Sequence, residues 1–247
     1  MVDASALEDE AHEFAVQLML RLWEILPTGH LGFTADASQG ADGSARIAVA
    51  SAFAGGIPLT IDQRPALQLA VDYELMMSPN SRRATVVGST FLVRPFDVGR
   101  PLFTVDYVRH ARSNTPAAHY NLHFEHGPIE TELLQTGATR RGKIHRKGVK
   151  AGKAPRLADL HFPMGGHRFR LCLEDVVEML WLEFGIDVKP TARAAICEGR
   201  EKWRTMQVRA AVSDDPQSAV DELRAMGYAV AEPETTRPRR LDRIHAI

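Results

Sequence analysis

Cysteine, lysine and long apolar runs are scarce in this sequence of 247 residues. Its two cysteines, Cys172 and Cys197, are too few for a disulfide framework, and both fall within apolar helical patterns, so we expect buried and reduced thiols. No apolar run approaches the ~20 residues that span a bilayer, and the N-terminal segment is acidic where a signal peptide would be basic. We therefore expect a cytoplasmic protein without a membrane partner.

The few lysines are concentrated in one place. Of six lysines, four lie between residues 140 and 156, a segment with eight basic residues and no acid. The rest of the chain has 22 basic against 31 acidic residues, so the formal net charge of -1 conceals a strong segregation of charge. Uncompensated cations favour phosphate binding because they release counterions from nucleic acid. We accordingly predict phosphate contacts for Lys143, Lys147 and Lys150, with a solvated linker as the alternative.

The first half of the chain predicts a helix packed on an antiparallel sheet, and so an α+β fold. Apolar residues three or four apart over residues 5–26 indicate a helix. A loop is expected over Asp36–Ser44. Short runs rich in Val, Thr, Phe and Tyr, separated by tight turns, then predict an antiparallel meander. The candidate strands are Ile47–Phe53, Leu67–Met76, Thr85–Val93, Leu102–Val108 and Ala118–His126.

The second half predicts helices after the basic segment. Helices are expected over 173–184 and 191–212, and a third should begin at Asp214-Asp215-Pro216 and end at Gly227. Tyr228–Ala231 could add a strand. The predicted organisation is a helix and sheet domain over 1–128, a flexible basic loop over 129–158, a helical region over 159–233 that packs on the sheet domain, and a frayed basic tail over 234–247.

Three of the ten histidines lie within the eight residues from His119 to His126. In a strand, His119, Asn121 and His123 share one face, and His119 and His123 are about 13 Å apart, too far to bind one metal ion. In a helix, His119, His123 and His126 would converge like zinc ligands. Because Tyr, Leu and Phe alternate with these residues, we favour the strand and expect no metal site within this segment.

Two further segments could join this strand in a site. The preceding strand contains Asp106 and Tyr107, which an antiparallel hairpin brings beside the histidines. Downstream, a glycine pair is followed by Arg168 and Arg170 just before a predicted helix. Glycines permit close approach of a ligand to the backbone, and amides ahead of a helix can hold an anion. A tight turn with solvated arginines is the alternative.

Imidazoles beside arginines meet the needs of RNA cleavage without a metal or another cofactor. One imidazole takes a proton, a second returns one, and a cation stabilises the phosphate oxygens. Histidine suits both roles because its pKa lies near neutrality. We therefore predict His119 and His123 as acid and base, with Asp106 and Tyr107 in the same site and Arg168 or Arg170 as the anion clamp. For each histidine taken singly, a structural role is the alternative.

Residues 67–126, with an Asp106-Tyr107 pair on one strand and His119 and His123 on the next, resemble the small bacterial toxins of the TumE type. The resemblance covers about a quarter of the chain. It implies a toxin of a toxin–antitoxin pair, with an antitoxin-like protein as a partner. The imidazole chemistry and the basic segment favour RNA over DNA as the target. The chain departs from that family in its length, its added C-terminal helices and the lack of an Asn after the aromatic and Asp pair.

Three functions follow as hypotheses. The first is a protein of toxin or defence type that acts on RNA, as a metal-independent ribonuclease. The second is a module that binds nucleic acid or a protein partner without catalysis, and the third is a metalloenzyme with ligands from His119, His161 and His167. The segregated charge also permits self-association into a homo-oligomer, or binding of an acidic inhibitor.

Overall fold

A computed structural model gives the fold of most of the chain. It describes residues 4–29, 31–39, 44–77, 84–97, 99–110, 115–123, 143, 147–148, 150–153, 161–164 and 167–246. The described part consists of an N-terminal helix, an eight-stranded antiparallel sheet and C-terminal helices, which confirms the predicted α+β class.

Helix α1 covers Ala4–Ile25, as the spacing of apolar residues predicted. The strands follow it along the chain. They are β1 (Phe33–Gln39), β2 (Ala45–Ser51), β3 (Ile57–Ile61), β4 (Arg64–Met77), β5 (Ala84–Pro95), β6 (Phe103–Val108), β7 (Ala118–Leu122) and β8 (His161–Pro163). The five candidate strands are thus confirmed in position, the last of them as far as Leu122.

The sheet has the order β1-β2-β4-β5-β6-β7-β8, with β3 paired to β4 beside β2. Every pairing is antiparallel. Strand β4 has 14 residues and pairs with β3 through its first half and with β2 through its second half. Except for β2 and β4, strands that are neighbours in this order are also consecutive along the chain, as in a meander.

Three strands were not predicted. The shortest of them, β8, lies at the start of the region expected to be helical over 159–233 and pairs with β7. The loop expected over Asp36–Ser44 is wrong at its start, because β1 extends to Gln39 and pairs Asp36 with Ala48. Most side chains described in β1 are exposed, so an edge strand here shows no apolar alternation in the sequence. Strand β3 has only five residues, among them Pro58, and pairs with β4 through a tight turn.

The turn between β3 and β4 is held by a distant residue. Asp62 and Gln63 have positive φ angles of 50° and 63°, which residues other than glycine adopt rarely. The carboxylate of Asp187 accepts hydrogen bonds from the backbone N–H groups of both, at 3.2 and 2.7 Å, and from the hydroxyl of Thr60 at 2.6 Å. These bonds attach the C-terminal region to the hairpin.

The C-terminal helices are α2 (Leu173–Met179), which continues as a π-helical turn to Phe184, α3 (Ala192–Asp214), α4 (Pro216–Ala225) and α5 (Leu241–Ile244). The predicted cap of α4 is confirmed, because the Asp215 side chain accepts from the N–H of Ser218. Tyr228–Ala231 forms no strand. The expectation of a frayed tail is wrong for α5, since the Arg243 side chain is only 8% exposed.

One apolar core joins the helices to the sheet. It contains Leu22 of α1, Leu69 and Val105 of the sheet, Val176 of α2 and Ile196 of α3. A second cluster packs the first half of α1 on β2 and β4. The helices therefore cover one face of the sheet, and residues paired across strands share a face.

The two cysteines differ in burial. Cys172 is buried before α2, as expected, whereas Cys197 is exposed on α3. The expectation of two buried thiols is therefore wrong for Cys197, because it lies on the face of α3 that points away from the core residue Ile196. Burial raises the pKa of the Cys172 thiol far above its usual range, and the nearby acids Glu174 and Asp175 act in the same direction.

Candidate anion-binding site

The four residues predicted to be catalytic are not all on one face of the sheet. Asp106 on β6 pairs with His119 on β7, so both side chains lie on the face opposite the helices. Tyr107 is the next residue along β6 and therefore points to the helical face. His123 follows β7, and its backbone N–H donates to the carbonyl of Leu102 at 2.8 Å. The sheet brings Asp106 and His119 together and separates them from Tyr107.

Three neutral groups hold the Asp106 carboxylate. Its Oδ1 atom accepts from the Thr90 hydroxyl at 2.8 Å, and Oδ2 accepts from the Thr104 hydroxyl at 2.7 Å and from Nδ2 of Asn121 at 2.6 Å. The Oδ1 atom of Asn121 is buried and accepts no hydrogen bond from the described residues. The carboxylate is therefore fixed by a polar network between three strands.

His119 is held firmly beside this network. Its Nδ1 atom is 2.9 Å from the carbonyl oxygen of Pro116, and because a carbonyl only accepts, Nδ1 carries a proton. Its Nε2 atom lies 3.9 Å from Oδ2 of Asp106. The residue is only 3% exposed. This geometry orients the ring, but the burial limits the access of a substrate to it.

The alternatives for a metal site also depend on these faces. Ala118–Leu122 is a strand, so the helical convergence of His119 and His123 does not occur. His119 lies with Asp106, whereas the His167 ring contacts Tyr107, on the other face of β6. In the part of the chain that the structure describes, no group of three or more His, Cys, Asp or Glu residues could hold a metal ion.

Tyr107 is the centre of a different cluster, on the helical face. Its ring packs edge-on against that of His167, with ring centres 5.8 Å apart, and its hydroxyl is 3.3 Å from Nδ1 of His167. The Arg170 guanidinium stacks between two rings, 3.7 Å from the centre of Tyr107 and 4.5 Å from that of Trp203 on α3. Arg170 also donates to the backbone carbonyl of His167 at 2.6 Å. These contacts fix the backbone between His167 and Arg170.

The C-terminal helix α5 closes the other side of His167. Nη1 of Arg243 is 3.1 Å from Nε2 of His167 and also donates to the backbone carbonyl of Arg109 at 3.2 Å. Because arginine only donates, Nε2 must be the acceptor, and Nδ1 then carries the proton of the neutral ring. Nδ1 therefore donates to the Tyr107 hydroxyl. The partners of His167 select its neutral form and one tautomer.

Four arginines surround this neutral histidine, and we refer to them as the arginine cluster. They are Arg109, Arg168, Arg170 and Arg243. Burial lowers the pKa of His167 from the usual 6.5 to about 4, and the positive charges of all four arginines act in the same direction. An additional positive charge at His167 would be costly here, so the ring is neutral at pH 7.

Carboxylates compensate only part of this charge. Arg168 donates to the buried Asp214 at 2.6 Å, and Arg243 has Asp242 at 3.4 Å. Among the described residues, neither Arg109 nor Arg170 has a carboxylate within ion-pair distance. The cluster therefore holds four positive charges, and of its two carboxylates Asp242 is shared with Arg240, which binds it at 2.9 Å.

Burial and mutual repulsion both act on the two arginines without a carboxylate. Burial lowers the pKa of Arg109, and the charges of Arg243 and Arg168 lower it further. Burial also lowers the pKa of Arg170 to about 10, an effect that Arg168 and Arg109 strengthen. Both groups remain charged at pH 7. Uncompensated cations at a partly buried site are the arrangement that binds an anion.

The predicted phosphate-binding lysines are exposed. Lys143, Lys147 and Lys150 all have helical backbone, and the carbonyl of Lys147 accepts from the N–H of Ala151 at 3.2 Å. They lie in the segment expected to be a flexible basic loop over 129–158, and their helical backbone agrees with the good helix propensity of lysine. Gly148 and residues 151–153 are described as well, and the remainder of 129–158 lies outside the described residues, as do His126 and the Gly165-Gly166 pair. No described contact joins the lysines to the arginine cluster.

Sequence reasoning found half of the cluster. Arg168 and Arg170 were predicted as phosphate ligands from their place before a helix. Arg109 and Arg243 were not, since Arg109 follows a strand and Arg243 lies in the segment expected to be frayed. The repeated arginines at 237, 239, 240 and 243 were the one available signal.

In comparisons with known proteins, no family model, curated protein or solved structure matches the chain. Nor does any helix in the described part have the length and apolar character needed to cross a membrane.

Proposed function

We propose that this protein binds nucleic acid, with a preference for RNA over DNA, through phosphate contacts at the arginine cluster. The observation that carries the proposal is Arg109, a half-buried arginine that lies near Arg168 and Arg243 and has no carboxylate within ion-pair distance among the described residues. A phosphate group supplies the missing negative charge and accepts several hydrogen bonds from guanidinium groups. The preference for RNA rests on the imidazole chemistry and the basic segment of the sequence.

The neighbouring residues support an anion with several oxygen atoms. Arg170 is held between Tyr107 and Trp203, so its guanidinium needs little ordering when a ligand binds. His167 is neutral at pH 7, so it does not compete with the anion for the arginines. The exposed Lys143, Lys147 and Lys150 would extend the phosphate contacts along a chain, as a longer nucleic acid requires.

The test is the affinity for a fluorescently labelled RNA oligonucleotide, measured by anisotropy at several salt concentrations. Arg109→Gln should weaken binding and reduce the slope of log affinity against log salt by about one, because one phosphate contact is lost. Arg64→Gln is the matched control, since Arg64 is exposed at the start of β4 and the net charge changes equally. Equal binding by both variants would overturn the proposal.

Stability measurements separate binding from folding. Removing a positive charge that is repelled by its neighbours should leave the free energy of unfolding of Arg109→Gln unchanged or raise it. Weaker binding together with preserved stability would therefore assign Arg109 to the ligand. If the variant unfolds more easily in proportion to its loss of binding, Arg109 has a structural role instead.

A second candidate function is cleavage of RNA by His119 without a metal. One observation supports it: because Nδ1 donates to the Pro116 carbonyl, Nε2 is the nitrogen that accepts a proton, and the Asp106 carboxylate 3.9 Å away would stabilise the protonated ring. The 3% exposure of His119 favours a structural role. Cleavage of total RNA in EDTA by the wild type, and its loss in His119→Gln and His123→Ala, would support catalysis. No cleavage by the folded wild type would overturn it.

A further inference from the structure

Phe169 is the most exposed large apolar side chain in the described part of the chain. It is 79% exposed, although its neighbours Arg168 and Arg170 are mostly buried. Tyr107 and Trp203, the other aromatic residues near this segment, are covered by the Arg170 guanidinium. Phe169 therefore presents an open aromatic face next to the arginine cluster.

The backbone around Phe169 is fixed from both sides. Arg168 is tied to Asp214 at the end of α3, and Arg170 is stacked on two rings and bonded to the carbonyl of His167. A short segment with anchored residues before and after it holds the intervening side chain outward. The backbone that carries the ring is thus anchored on both sides of Phe169.

From this arrangement we infer that the protein binds single-stranded nucleic acid and that Phe169 stacks against an unpaired base. Single strands are bound by cationic grooves that contact phosphates, together with aromatic side chains that contact base faces. The inference rests on the proposed function, because the arginine cluster must hold the phosphates beside the stacked base. A base paired within a duplex has no free face to offer, so a duplex should lose this contact.

The experiment uses single-stranded oligouridylate, an abasic strand of the same length and charge, and an RNA duplex, and compares each variant with the wild type on the same ligand so that the higher charge of the duplex cancels. Phe169→Ala should bind oligouridylate roughly 5- to 100-fold more weakly than the wild type, because one base–aromatic contact is lost. Phe169→Tyr should bind like the wild type, since it keeps the ring. Binding of the abasic strand and the duplex should not change in Phe169→Ala.

Comparing these variants and ligands distinguishes a failure of the stacking inference from a failure of the proposed function. If Arg109→Gln and Arg64→Gln bind alike, the phosphate site itself is wrong. If Arg109→Gln binds more weakly but Phe169→Ala binds oligouridylate like the wild type, only the stacking role is overturned. An equal loss of all three ligands in Phe169→Ala would also overturn it, because the effect would not depend on a base. Because Phe169 is exposed, its substitution should not disturb the fold, and thermal unfolding of each variant checks this.

Discussion

The guanidinium carbon of Arg170 lies 3.7 Å from the centre of the Tyr107 ring. The same guanidinium carbon lies 4.5 Å from the centre of the Trp203 ring. The contact joins β6 to α3 at the point where the chain turns from the sheet to the C-terminal helices. The charge that we assign to phosphate binding is therefore also part of the packing between sheet and helices.

Arg170→Ala should lower the free energy of unfolding by about 2 kcal/mol, because a desolvated cation–π contact and its packing are lost. Arg170→Lys keeps the charge but lacks the planar group that fits between two rings, so it should recover less than half of that loss. Urea unfolding of the three proteins gives both values. Full recovery by lysine would show that charge, and not planar stacking, stabilises this contact.

Acid should destabilise the fold through His167. Its pKa is about 4 in the folded protein and near 6.5 when unfolded, so between these values the unfolded chain binds more protons. The contribution of His167 is complete above pH 6.5 and is lost as the pH falls toward 4. The groups facing the ring are Tyr107 and the arginine cluster.

The measurement is the free energy of unfolding of the wild type and of His167→Gln between pH 4 and pH 7. Glutamine does not titrate, so the difference between the two proteins should shrink as the pH falls. A constant difference across the range would contradict the lowered pKa of His167. Limited proteolysis over the same pH range is a second measurement. If acid breaks the contact of Arg243 with His167, the C-terminal tail should be cleaved faster at low pH.

Asp106→Ala should lower the free energy of unfolding by about 1–3 kcal/mol, because three partly buried donors lose their acceptor. Asp97→Ala, at an exposed turn, is the control and should change stability by less than about 0.5 kcal/mol. Thermal unfolding measures both. A fully stable Asp106→Ala protein would favour the functional role predicted from the sequence over the structural one.

The two thiols should differ in reactivity. Cys197 is exposed, whereas Cys172 is buried and burial raises its pKa, so Cys172 has very little thiolate at pH 8. A disulfide reagent such as DTNB should therefore titrate one thiol rapidly in the native protein and both in denaturant. Cys197→Ser should abolish the rapid phase. Two rapid thiols in the native wild type would contradict the burial of Cys172.

Helices and central strands were predicted well because their signals are local. The spacing of apolar residues in α1 and the Asp215-Pro216 cap of α4 depend only on nearby residues. Strands β1, β3 and β8 were missed because the partner strand, and not their own composition, supplies their stabilisation. The cysteine expectation failed at Cys197 for a similar reason, since tertiary packing decides which helical face is covered.

The candidate site was predicted only in part. Arg168 and Arg170 were found because they lie together before a helix. Arg243 lies 76 residues from its partner His167 and 134 from Arg109, and no local pattern reveals such contacts. The grouping of Tyr107 with Asp106 and His119 was prevented by the alternation of side chains along β6. Adjacent residues in a strand cannot share a site on one face.

The sequence by itself determined the α+β class, the first helix, the central strands and the segregation of charge, because these follow from short-range periodicity and composition. Tertiary structure alone decided which cations lie together. It separated Tyr107 from His119, buried His119 and brought Arg109 and Arg243 to His167. The physical reason is that a binding site depends on the faces and ends of elements distant along the chain, and folding, not local pattern, determines which of these meet.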